Sequence, residues 1–179
     1  MLIDEFLPVY NFSERHEIKI RASAADVYAA VGSTDFNESW IIWSLLGLRG
    51  LAFGNASKKM TLRDAFDNFS VLDEKPDEEI LLGLAGKFWT PTGCLQKIDA
   101  GNFKDFNEKG FAKAAWSFSV SETGGETLLK TETRVRCLDE ASRQSFALYW
   151  GVIKPFSGVI REEMLRLIKR KAEDKQNHT

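Results

Sequence analysis

Residues 113–137 read Lys-Ala-Ala-Trp-Ser-Phe-Ser-Val-Ser-Glu-Thr-Gly-Gly-Glu-Thr-Leu-Leu-Lys-Thr-Glu-Thr-Arg-Val-Arg-Cys. Two alternating runs flank the turn signal Thr123-Gly124-Gly125-Glu126. Ala114, Trp116, Phe118 and Val120 share one face of the first run. In the second, Leu129, Thr131, Thr133, Val135 and Cys137 share a face, with Lys130, Glu132, Arg134 and Arg136 opposite. Successive side chains of a strand point to opposite sides, so each run is a strand with one apolar face. The adjacent glycines supply the positive φ angles of a tight turn. The stretch predicts an antiparallel hairpin with an apolar surface to cover.

The cover lies immediately downstream. Asp139 is an N-cap candidate, and apolar residues recur at Phe146, Tyr149/Trp150, Ile153, Phe156, Ile160, Met164 and Leu167/Ile168. Steps of three and four place them in one stripe of a helix reaching about Ala172. Arg161, Glu162, Arg166, Lys169 and Arg170 are assigned to the opposite, solvated face. Pro155 has no N–H, and its ring presses on the carbonyl of Gly151, which predicts a kink or a break near Pro155. Residues 174–179 are expected to fray.

Upstream, His16, Ile18 and Ile20 alternate with Arg15, Glu17, Lys19 and Arg21, a strand with one solvated face. Ser23-Ala24-Ala25-Asp26 has capping-box spacing and opens a short helix ending near Gly32. Asp35 and Glu38 repeat that spacing before Trp40–Leu46, a second helix that is apolar around most of its girth. Gly47–Lys59 reads as an irregular connection, and Thr61–Asp64 as a helical turn. Strands at Phe69–Leu72 and Glu79–Leu84 flank Lys75-Pro76-Asp77. Phe88–Ile98 is expected to add an edge or bulged strand. Segregated helices and strands define an α+β class with an antiparallel sheet.

Composition bounds the function. The 179 residues carry no linker or repeat and suit one domain, residues 1–179. A net charge of −2 and a pI near 5.8 create no field for nucleic acid, so none is expected as a partner. No run is long enough for a membrane span, and the start Met1-Leu2-Ile3-Asp4-Glu5 lacks a signal-peptide pattern, so a cytoplasmic location is expected. Cys94 and Cys137 are read as reduced, buried thiols. His16 and His178 are the only histidines, too few for a triad or a clustered metal site, so neither a catalytic motif, a metal nor a cofactor is expected. Gly83-Leu84-Ala85-Gly86 lacks the lysine of a phosphate loop and reads as a strand end.

The order of strand, two short helices, antiparallel strands and one long helix resembles the START-like helix-grip superfamily, also called SRPBCC, which includes lipid carriers, pollen-allergen-type proteins and polyketide cyclases. Glu14–Val31, Ala114–Cys137 and Phe146–Ala172 carry the resemblance. It implies a curved sheet gripping the last helix around a hydrophobic cavity. Within that frame Trp89, Trp116, Phe118, Phe146, Tyr149 and Ile153 are the expected walls for a small hydrophobic ligand, with Thr131 and Thr133 as polar anchors. Two alternatives stand beside carriage. One is a cyclase- or hydrolase-type enzyme using His16, Tyr149 or a carboxylate as acid or base. The other is an interaction module with a collapsed cavity, docking through the outer sheet face. Ligand identity and oligomeric state are not written in the sequence.

Overall fold

The computed structural model describes residues 1–35, 39 and 69–176. The expected helix over Trp40–Leu46, the connection at Gly47–Lys59, the turn at Thr61–Asp64 and His178 lie outside these residues. The elements are α1 (Leu2–Phe6), β1 (Phe12–Ile20), α2 (Ala24–Ser33), β2 (Ser70–Lys75), β3 (Glu79–Gly86), β4 (Ala112–Thr123), β5 (Glu126–Cys137) and α3 (Glu140–Gln176). The five strands form one antiparallel sheet in the order β1-β5-β4-β3-β2. With α3 packed along β1 and α2, this is the α+β helix-grip architecture.

Local signals explain most element ends. Gly124 and Gly125 take φ of 63° and 83° and join β4 to β5, as the hairpin reading required. Ser23 Oγ accepts from the Asp26 N–H at 3.2 Å and donates to the Asp26 carboxylate at 2.6 Å, fixing the start of α2. The expected strand over Phe88–Ile98 does not form. Tight turns fold that segment, with Thr90 N–H donating to Lys87 O and Gly93 N–H to Thr90 O. Its one backbone pairing with the sheet is a single bridge from Gln96 to Ala85. Positive φ at Gly93 (67°) and Cys94 (41°) is incompatible with an extended chain.

Gly86 sits where those turns press closest. A Cβ there would lie 2.6 Å from the Gly93 carbonyl oxygen, which is itself held by Lys87 N–H. Backbone cannot step aside as a flexible side chain can, so Gly86→Ala is expected to destabilise the fold by about 1–3 kcal/mol. Chemical denaturation checks this; an unchanged midpoint would contradict the packing.

Helix α3 is not interrupted at Pro155. The helix runs from Glu140 to Gln176 with the proline inside it, so of the two outcomes expected there, a kink or a break, the break does not occur. It is also helical two residues beyond Asp174, where fraying was expected to begin. The proline still leaves Gly151 O without its helical donor. No described helix is long and apolar enough to cross a membrane.

Asp139 is the N-cap, as expected. Its carboxylate accepts from the backbone N–H groups of Ser142 (2.7 Å) and Gly110. The bond from Ser142, then that from Gly110, hold its pKa below the ordinary carboxylate range. A lowered folded-state pKa adds stability above the unfolded value, and that stability is lost as pH falls through the folded one. Asp139→Asn should therefore flatten part of the acid dependence of the denaturation midpoint at and below the ordinary carboxylate range. A variant with an unaltered acid limb would sink this assignment.

The sheet is covered on both faces. Toward α3, the residues Ile20, Val27, Val31, Ile80, Leu82, Trp116, Phe118 and Leu129 pack with Met164, Leu165, Leu167 and Ile168. On the outer face, Leu2, Ile3 and Leu7 of the α1 segment meet Leu72, Leu81, Ala85, Ile98, Phe103 and Ala115. The charged side of β5 is covered as well, for Glu132 and Arg134 are buried. Arg134 donates to Glu132 at 2.6 Å, to Asp4 at 2.7 Å and to the Leu7 carbonyl at 3.2 Å. Its bond is the leading cause of a lowered Asp4 pKa. At the other end of α1, the Leu2 N–H donates to Glu79 Oε2 at 2.9 Å. Lys113 is buried too, its Nζ donating to the carbonyls of Phe103 (3.0 Å) and Lys104 (2.8 Å). Burial pushes its pKa down.

Candidate functional site

Strand register arranges the inner face in rows. Phe12, Val135, Ala114 and Leu84 are successive partners across β1, β5, β4 and β3. The next row is Glu14, Thr133, Trp116 and Leu82, and the one after it is His16, Thr131, Phe118 and Ile80. Then come Ile18, Leu129 and Val120. Two rows that are polar on β1 and β5 therefore lie between apolar ones.

The apolar lining divides at the same place. Phe146 heads a separate cluster of Ala112, Ala114, Val135 and Cys137, flanked by Phe12, Phe88, Trp89, Tyr149 and Trp150. The Trp116–Phe118 cluster takes over only from Ile160 onward. Ile153 belongs to neither and is half-buried. Between the clusters, α3 crosses β1 at Gly158, whose missing side chain permits close approach. A Cβ there would be 3.3 Å from Glu14 Oε1 and 3.8 Å from His16 Cε1.

A polar network fills this interval. His16 Nε2 lies 3.0 Å from Glu14 Oε1, and because a carboxylate only accepts, the ring nitrogen is the donor. Arg161 Nε is 3.6 Å from Glu14 Oε2, an ion pair too long for a hydrogen bond. The guanidinium lies 4.7 Å from the centroid of Trp116, a cation–π contact. The indole N–H of Trp116 donates to Thr131 Oγ1 at 2.6 Å. Two oxygens are left: Glu14 Oε2 and Thr133 Oγ1 are buried and hydrogen-bonded to nothing. A buried oxygen without a hydrogen bond forfeits hydration, at about 1–3 kcal/mol, and such groups are uncommon in native interiors. The Arg161 charge offsets this for Glu14, but no hydrogen bond among the described residues offsets it for Thr133.

The structure sorts the expected site residues into two groups. Trp89, Phe146 and Tyr149 fall in the cluster at the start of α3, while Trp116 and Phe118 lie in the other. Thr131 and Thr133 both face inward, but Thr131 is already engaged by Trp116. Arg161 was assigned to the solvated face and is instead 11% exposed against the sheet. Phe156 was placed on the inner stripe and is 39% exposed. A helix turns about 100° per residue, so seating Gly158 over Glu14 and His16, with Ser157 buried beside it, rotates Phe156 outward. Of the two cysteines, Cys137 is buried, and burial pushes its thiol up to about 11, whereas Cys94 is exposed. Glu14 was missed as a site residue, although the two-residue period places it on the face of His16. Among the described residues, no three metal-ligating side chains converge.

No family model matches the chain, and no curated protein matches it in sequence. Solved structures resemble it in architecture. The Aha1 dimer from Colwellia psychrerythraea aligns over 91% of this chain and 97% of its own at 13% identity and a TM-score of 0.39. XoxI from Bacillus cereus aligns over 93% and 99% at 11% identity and 0.36. CalU16 from Micromonospora echinospora aligns over 90% and 84% at 15% identity and 0.32. Likeness at this level says nothing about ligand or chemistry.

Proposed function

We propose that the chain binds a small, largely apolar molecule between α3 and the inner face of the sheet. One observation carries the reading. The apolar lining parts into two clusters, and the interval between them holds polar atoms that the fold leaves unsatisfied. Ligand sites are mostly apolar, with a few convergent polar groups that set orientation. In this reading Trp116, Phe118, Phe146, Tyr149, Trp89 and Ile153 supply the walls, and Thr133 rather than the engaged Thr131 is the available anchor. Burial of the ligand's apolar surface supplies about 25 cal/mol per Å².

Native mass spectrometry of freshly purified protein tests the reading, followed by titration with fatty acids, sterols and aromatic polyketides while indole emission is recorded. A retained mass or a saturable emission shift is the expected result. Failure of every class would overturn it. A second reading, acid–base catalysis at the same place, draws on the Glu14–His16 hydrogen bond, which orients the imidazole as a general base requires. Turnover abolished by His16→Ala but preserved in Phe156→Ala would favour it over carriage.

A further inference from the structure

Resting on the proposed binding site, we infer that the ligand's head group is a neutral hydroxyl, read by Glu14 and Thr133. Glu14 is 8% exposed, and its Oε2 accepts no hydrogen bond. A carboxylate oxygen has only acceptor capacity, so the missing partner must be a donor. Thr133 is its cross-strand partner, and the Thr133 Oγ1 is likewise buried and unbonded. Cβ atoms of directly opposed residues lie about 4.5–5.5 Å apart, so one oxygen between the two side chains reaches both. A hydroxyl there donates to Glu14 Oε2 and accepts from Thr133 Oγ1–H.

Charge narrows the class further. The Glu14–Arg161 pair already balances its own charge, so a carboxylate or phosphate head would add an uncompensated negative charge in a site shielded from water. An ammonium head would meet the Arg161 guanidinium, 3.6 Å from that carboxylate. An uncharged alcohol or phenol meets neither penalty and donates the hydrogen bond that Glu14 Oε2 lacks. The apolar body would extend along the inner face toward the ring of Trp116, next in the same row.

The test compares naphthol, naphthalene and naphthoate, and decanol with decanoate, by calorimetry and indole emission on the full chain. Naphthol and decanol should bind about tenfold or more tightly than the matching carboxylates, the scale of one hydrogen bond to a charged acceptor. Thr133→Val should narrow the ratio of naphthol to naphthalene affinity by about fivefold, and Glu14→Gln should narrow it further. Thr133→Val changes no charge and keeps the test open if Glu14→Gln fails to fold. Equal affinity for alcohols and carboxylates, or a naphthol-to-naphthalene ratio untouched by Thr133→Val, would overturn the head-group assignment while leaving apolar binding standing. No binding by any probe would remove the binding reading, and this inference with it.

Discussion

Phe146→Ala should lower the free energy of unfolding by about 3–5 kcal/mol, the range for truncating a buried aromatic without collapse of its surroundings. Phe146 is 2% exposed, and its ring centroid lies 4.9 Å from Phe12, 5.7 Å from both Tyr149 and Trp150, and 6.3 Å from Phe88 and Trp89. Five rings around one cannot all shift to fill the hole, so the cavity term adds to the lost burial. Urea denaturation should show a lower midpoint at an unchanged slope. Phe156→Ala is the control: that ring is 39% exposed, and its loss should cost under about 1 kcal/mol. Equal losses at the two positions would refute the inward registration of α3.

Removing Arg134 should be as damaging for a different reason. Its side chain is 5% exposed and is the buried partner of Glu132, itself 7% exposed. Arg134→Ala leaves Glu132 with Arg15, 2.9 Å away but 61% exposed, and strips the Leu7 carbonyl of its donor. Breaking a buried pair from one side costs about 3–5 kcal/mol, whereas replacing both members by apolar residues is often neutral. The double variant Arg134→Met, Glu132→Leu should thus recover most of the loss. A single variant that loses under about 1 kcal/mol, or a double variant no better than the single, would contradict this account.

Much of the architecture was legible in the sequence. The hairpin followed from strict alternation and two glycines, and the long helix from steps of three and four, since both patterns report burial on one side. One misreading has a plain cause. Arg161 was placed in water because it is charged, yet the Glu14 carboxylate lies within reach inside the fold. Periodicity alone pointed the other way for Arg161, which is four residues from Ser157 and three from Met164, both buried. The cover of the outer face was illegible for another reason. Helix α1 has five residues and no side-chain cap, too short for any period to show. The polar interval was half legible: Thr131, Thr133 and His16 could be placed by parity, but their meeting with Glu14 and Arg161 depends on which turn of α3 crosses β1.

Among the described residues, helix α3 is packed most firmly at two places, and between them Ser157 is buried and Gly158 presses on β1. Its start is bound through Phe146, and its second half through Met164, Leu165 and Ile168, with Lys169 Nζ on the Lys19 carbonyl at 2.9 Å. The stretch between contains Gly151, Pro155 and Gly158, while Leu148, Val152 and Val159 face solvent. Helices ordinarily melt from their tips inward, because terminal turns have the fewest bonds to lose. Here the cheapest opening lies at mid-span, so amide deuteration should run fastest between about Val152 and Val159 and slowest toward Met164 and Ile168. Such a helix behaves as two anchored rods joined by a soft link. On the proposed binding reading, an opening there, beside His16 and Glu14, would admit a guest while both anchors hold, without unfolding of the domain.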